Sequence, residues 1–457
     1  MEYSVIIISD LHVGQTDDFD IFAAPGSNKH ALFTSFMDHV RKQPNPIELV
    51  INGDFVDFLQ LRPWNDLSRT TARKKIEDIV TKSPSVFKDL GTFLSDPRHK
   101  LTILLGNHDV ELAYPEVGKV LREAILSSSP KAADRYELLD KRTSHNPTVN
   151  GVLVHIEHGN RGDEWNWLNY DPLFIDAELG TNKFKYPPGT KLVYETMNAF
   201  KVKLRFVDLL KPEMPAVILL LMALKPGMAI LALPKVALSK LNSISNGILS
   251  SLLQGLGGAP LGETKKSPKQ ASVNARLADY YAAIRPVDFP KVDDVQWFLT
   301  TSEPANASGA EVLGPRFDYV RLKFLSWAFY HLNRFKAAQE GEAFYQRDHP
   351  STPDSKGAET CFEGNVKVVV FGHTHEALKT EFTKGVYVNS GTWADVIRMP
   401  RDDKDSMLAW LKTVANNTFK RTAEPTYVRI EPSGQGVSVS LNQWTGSGEH
   451  ELWQKNI

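Results

Sequence analysis

The sequence predicts an α/β fold, a sheet with helices packed on it, split by one long insertion. Three observations carry this. Strands and helices alternate over residues 1–160, and such alternation builds a sheet covered by helices. Five apolar strands each run straight into Asp, Asn or His, mostly beside Gly, which suits ligands gathered at the carboxyl edge of a sheet. The alternation stops after residue 160, and a strand of the same kind returns at Val366.

The first strand is Ser4 to Ser9, followed by Asp10-Leu11-His12. An Asp-rich loop leads to a helix around Ser27 to Arg41. The second strand, Ile47 to Asn52, ends in Gly53-Asp54. A loop with Trp64 follows, then helical sequence over 70–94, broken near Pro84 because proline cannot continue the hydrogen-bond ladder. The third strand, Leu101 to Leu105, ends in Gly106-Asn107-His108-Asp109, and a short helix covers Pro115 to Ser127. The fourth, Val152 to Glu157, ends in His158-Gly159. His155 lies three residues earlier; His158 is preferred as the ligand because it closes the strand and precedes Gly.

Residues 160–167 form a polar, aromatic loop. The expected domains are a core over 1–164 and 346–457 and a mainly helical insertion over 165–345. Within the insertion, Met214 to Leu224 and Met228 to Leu233 are apolar runs parted by Lys225-Pro226-Gly227. Each falls short of the roughly 20 residues that cross a bilayer, so they read as a helical hairpin. Over 181–285 there are about 15 Lys and Arg against about 5 Asp and Glu. Gly247 to Ser272 reads as a mobile loop, and Phe317 to Phe335 as the helix that returns to the core. Three readings of the insertion stand: a subdomain packed on itself, a lid over an apolar substrate, or a peripheral contact with an anionic membrane surface.

From Val366 to Phe371 a strand runs into Gly372-His373-Thr374-His375. The strand Val386 to Gly391 and Thr392-Trp393 follow, then a helix over Asp402 to Val414. Tyr427 to Ile430 and Val437 to Leu441 make a hairpin around Pro432-Ser433-Gly434.

Of the 457 residues, 42% are hydrophobic and 23% charged, and the net charge is -1. These are ordinary values for a globular protein, and the overall charge gives no case for nucleic acid. The single cysteine, Cys361, excludes an internal disulfide and fits a reducing compartment. With no secretory signal read at the N-terminus, a cytoplasmic protein is expected, with peripheral membrane contact through the insertion under the third reading.

Oxygen and imidazole donors without thiolates suit Mn, Fe, Zn, Ni or Co rather than a Cys-type structural zinc. The set Asp10/His12, Asp54, Asn107-His108-Asp109, His158 and His373/His375 resembles, motif by motif and in order, the calcineurin-like metallophosphoesterase superfamily. The resemblance implies a four-layer α/β-β/α sandwich and two divalent metal ions, with Mn the metal expected to serve in vitro. It implies that Asp10, His12 and His375 hold one ion, that Asn107, His158 and His373 hold the other, and that Asp54 bridges them. It further implies attack on phosphorus by a metal-bridging hydroxide, with His108 donating a proton to the leaving group and Asp109 orienting its ring. Arg161, Asn389, Thr392 and Trp393 are expected around the substrate. The expected substrate is a small or lipid-linked phosphate ester or diphosphate. A nuclease or cyclic-nucleotide phosphodiesterase is the rival enzyme, and a non-catalytic scaffold of the same fold is the rival from another class.

Overall fold

The computed structural model describes residues 3–163, 166–180, 186–194, 198–201, 207–211, 352–398 and 421–457, with 406, 409, 410 and 413. The expected apolar hairpin, the Gly/Ser loop and the return helix lie outside the described residues, as does most of 402–414. The chain divides into two units, one of residues 1–205, 347–396 and 422–457, the other of 206–346 and 397–421.

The first unit is built on two mixed sheets. One has seven strands in the order β16-β15-β14-β1-β2-β3-β4. Its parallel centre is β1 (Ser4–Ile8), β2 (Ile47–Asn52), β3 (Lys100–Leu104) and β4 (Tyr136–Leu139). The antiparallel hairpin β14 (Thr426–Ser433) and β15 (Gly436–Trp444) joins at β1, and β16 (Glu449–Asn456) forms the edge. The other sheet has β7 (Val152–Glu157) and β9 (Val366–Phe371) parallel at its centre. β11 (Val386–Ser390) and β10 (Ala377–Glu381) lie on one side, and the short β5 (Ser144–His145) and β6 (Thr148–Val149) pair with β7.

The β-branched runs explain why β1 and β2 are central: every residue of both is buried, as strands covered on both faces require. Val5, Ile7 and Val50 face Val154, Ile156, Val368, Val370 and Val388 in a core between the sheets. The alternate residues Ile6, Ile8, Leu49 and Ile51 turn the other way, toward the helices. There α1 (Lys29–Arg41) buries Phe33, Phe36, Met37 and Val40, spaced at three and four residues. The expected helix over 70–94 is two helices, α2 (Arg69–Lys82) and α3 (Pro84–Leu94). Proline starts α3, as it does α4 (Pro115–Leu126), where its missing N–H costs nothing. α5 (Tyr170–Leu179) opens on an Asn169 cap and contributes Tyr170, Leu173 and Ala177 to this same core. After the short α6 (Pro188–Leu192) and α7 (Asn198–Lys201), α8 (Thr352–Cys361) covers the outer face of the second sheet through Ala358 against Val369 and Phe371. Among the described residues no helix is long and apolar enough to cross a membrane.

Candidate dinuclear metal centre

The carboxyl ends of β1, β2, β3, β7 and β9 deliver Asp10, His12, Asp54, Asn107, His158, His373 and His375 to one place. Asp10, His12 and His375 offer ligand atoms within 4.8 Å of one another, and so do Asp54, His158 and His373. Two glycines let the ends approach. A Cβ on Gly106 would collide with Oδ1 of Asp54, and one on Gly372 would crowd the Ser9 hydroxyl and the Asp10 carboxylate. Five of the seven donors adopt left-handed backbone: Asp10 (φ 53°), His12 (52°), Asp54 (49°), His373 (69°) and His375 (59°).

Hydrogen bonding fixes which ring nitrogens face the site. His158 Nδ1 lies 2.9 Å from the carbonyl of Asn52. A carbonyl only accepts, so Nδ1 carries a proton and Nε2 is the nitrogen turned to the site. That nitrogen lies 3.2 Å from Asn107 Oδ1 and 3.3 Å from Asp54 Oδ2. His12 Nδ1 lies 3.0 Å from Asp57 Oδ2, which turns His12 Nε2 to the site. It stands 3.0 Å from His375 Nε2 and 3.6 Å from Asp54 Oδ2. Lone pairs on nitrogen that face carboxylate and amide oxygens are satisfied by a cation set between them. The donor chemistry therefore fits two divalent ions, with the tautomers held by outer partners as metal-ligating histidines require.

The electrostatics agree. Burial alone would raise the Asp10 carboxyl, but the charge and hydrogen bond of His375 bring it down to about 2. Burial acts on Asp54 in the same way, and His158 and His108 hold it well below the usual carboxylate range. His158 would be lowered by burial, but Asp54 pushes it up to about 9. The pocket wants positive charge at its centre.

His108 stands beside this cluster, its backbone N–H donating to Asp54 Oδ1 at 2.8 Å. The carboxylate on its ring is not Asp109, which is a correction to the sequence-based role. Asp109 points the other way and accepts the backbone N–H groups of Phe55 (2.7 Å) and Gly106 (2.6 Å). Consecutive residues leaving a strand end diverge, so adjacency in sequence misled. The orienting carboxylate is Asp57, whose Oδ2 lies 3.0 Å from Nδ1 of both His108 and His12. Its other oxygen accepts from Leu59 N and Gln60 N, which fixes the carboxylate. Sequence reasoning missed Asp57; the available signal was a third acidic residue three positions after Asp54.

The residues expected around the substrate are placed otherwise. Trp393 is fully buried against Phe33 and Phe36, and its Nε1 donates to the Thr426 carbonyl. Asn389 is equally buried; its amide donates to the Gly372 carbonyl and Thr374 Oγ1, so it braces the loop bearing His373 and His375. Thr392 Oγ1 donates to the Asp10 carbonyl at 2.9 Å. All three support the site from behind, because the strand end that carries them is turned into the core. Arg161 is exposed and pairs with Glu157 at 3.5 Å, and among the described residues it contacts none of the ligand set.

Residues 3–207 match the family model described as calcineurin-like phosphoesterase. The match ends before His373 and His375, which the fold brings to the site. No curated protein matches the chain. Among solved structures, a dimetal phosphatase from Danio rerio is similar at 9% identity over 98% of each chain with a TM-score of 0.33.

Proposed function

From the premise that this chain belongs to the calcineurin-like metallophosphoesterases through residues 3–207, we propose that it hydrolyses a phosphate ester or diphosphate bond with two divalent metal ions. The observation that carries the reading is the set of His12, His158 and His375 imidazole nitrogens turned, from three strand ends, onto the Asp54 and Asp10 carboxylates. Asp10, His12 and His375 would hold one ion, Asn107, His158 and His373 the other, and Asp54 both. Bound there, the ions supply a hydroxide nucleophile at neutral pH and draw charge from the phosphoryl oxygens.

The chain's own residues do the rest. Asp57 holds the His108 Nδ1–H and so sets the ring whose Nε2 would give its proton to the leaving oxygen, a task typically worth roughly 10²–10⁴-fold in rate. The same carboxylate stabilises the imidazolium before the transfer. Gly106 and Gly372 let the donors close up, and Asn389 keeps the histidine loop in register.

The finer reading is a four-layer α/β-β/α sandwich with an insertion over 165–345, in a cytoplasmic enzyme that works with Mn on a small or lipid-linked substrate. The two facing sheets, with helices on their outer faces, support the layering. The test is turnover of chelator-stripped protein reloaded with Mn. Substrates would be a chromogenic phosphomonoester, a phosphodiester, a sugar-nucleotide diphosphate with and without acyl chains, and single-stranded DNA. Preference for the acylated substrate supports the lipid-linked reading; preference for DNA puts the nuclease in its place. Protein that takes up no metal and turns over none of these is a scaffold.

A further inference from the structure

The segment after His158 does something the ligand list leaves out. Gly159 turns the chain at φ 103°, a short helical turn covers Asn160–Gly162, and the chain crosses to α5. Two side chains on this strap meet the ligands. Asp163 Oδ2 lies 3.2 Å from His373 Nε2. Asn166 Nδ2 donates to the same Asp163 oxygen at 2.7 Å, and Asn166 Oδ1 receives a long contact, 3.5 Å, from the Asn107 amide. The strap is anchored at its base: Asn160, buried, donates to the Asn166 carbonyl at 2.9 Å and accepts from the buried Tyr170 hydroxyl at 3.2 Å.

We propose that Asp163 and Asn166 are positioning residues for one of the two metal sites, that of Asn107, His158 and His373, and set its affinity independently of the other. The chemistry is specific to each contact. A carboxylate on His373 Nε2 puts the ring proton there, leaves Nδ1 as the bare nitrogen and fixes the ring's plane. An acceptor on the Asn107 amide nitrogen keeps the amide from rotating, so its oxygen stays toward His158 Nε2. The link between Asp163 and Asn166 makes the two constraints one unit. On the other side of the centre, His12 takes its orienting carboxylate from Asp57, on the loop after β2. Each half of the centre is thus held by its own segment, so each can be loosened separately.

This rests on the two-metal reading, so the test separates the two. Chelator-stripped wild type, Asp163→Ala, Asp163→Asn and Asn166→Ala would be titrated with Mn²⁺ by calorimetry, with Mn–Mn spin coupling as a second readout. The expected result is two sites in wild type. Each variant keeps one site near wild-type affinity, weakens the other by roughly 10–100-fold, and loses spin coupling at limiting metal. The melting temperature of the stripped variants should match that of stripped wild type. Two sites of wild-type affinity in Asp163→Ala, or equal weakening of both sites, overturns the assignment while leaving the two-metal reading intact. Wild type that binds no Mn²⁺ overturns both. If Asn166→Ala fails to fold, Asp163→Asn alone decides, since it changes one oxygen for a nitrogen at a half-exposed position.

Discussion

His108 Nδ1 lies 3.0 Å from Oδ2 of the buried Asp57. Burial would raise the Asp57 carboxyl, but the charge and hydrogen bonds of His108 and His12 hold it well below its usual range, so it stays an anion against both rings. Asp57→Asn should therefore fail in two respects at once. Turnover should drop by roughly 10²-fold or more through the loss of a set acid, and metal affinity by roughly 10–100-fold through His12. His108→Ala should lower kcat and leave metal content as it is, most severely for poor leaving groups. Steady-state kinetics beside metal analysis checks the pair; an Asp57→Asn protein with full metal and wild-type kcat would sink the role.

Asp109 acts on the fold. Its carboxylate satisfies two buried N–H groups, and Asp109→Ala strands both. Each orphaned group costs roughly 1–3 kcal/mol. Chemical denaturation of metal-free protein should show a loss of that order, with the His108-dependent pH profile of any remaining activity unchanged.

Trp393→Ala should behave as a core deletion, costing roughly 3–5 kcal/mol of stability. The ring packs 4.8 Å from Phe36 and 5.5 Å from Phe33, centroid to centroid. Below the lowered melting temperature KM should stay near wild type; a raised KM with unchanged stability would restore the substrate role.

Far from the site, at the other end of β2, Glu48 joins the two sheets. It lies 2.9 Å from His145 Nε2 on β5 and 3.2 Å from Lys100 Nζ, and it accepts the Thr102 hydroxyl at 2.6 Å. Burial would raise its carboxyl; His145, Thr102 and Lys100 together bring it down to about 2. A depressed carboxyl stabilises the fold above its ordinary value near 4.5 and loses that contribution as pH falls toward 2. Glu48→Gln should thus be less stable than wild type by roughly 2–3 kcal/mol at neutral pH, and the gap should close as the pH falls below about 4.5. Urea titrations across pH 3–7 read this directly, and a gap that widens on acidification refutes it.

The strand ends were legible because apolar β-branched runs and abrupt Gly-Asp or Gly-His terminations are local signals. The five central strands and the break at Pro84 follow from them, as does the clustering of the seven donors. What was illegible depends on direction and distance. Nothing in Asn107-His108-Asp109 says that His108 and Asp109 part company, and Asp57 declares itself only when two rings from different strand ends meet its carboxylate. Trp393 and Asn389 look like rim residues beside a histidine motif, yet Asn389 within β11 and Trp393 just beyond it are both fully buried. Asp163 and Asn166 sit in a stretch with no period to read.

The left-handed backbone at Asp10, His12, Asp54, His373 and His375 costs on the order of 1 kcal/mol at each position relative to glycine. The strain persists because the side chains themselves hold it in place: the Asp54 and Asp10 carboxylates accept the backbone N–H groups of His108 and His373, so a glycine there would relax one backbone residue only by stranding the donor of another.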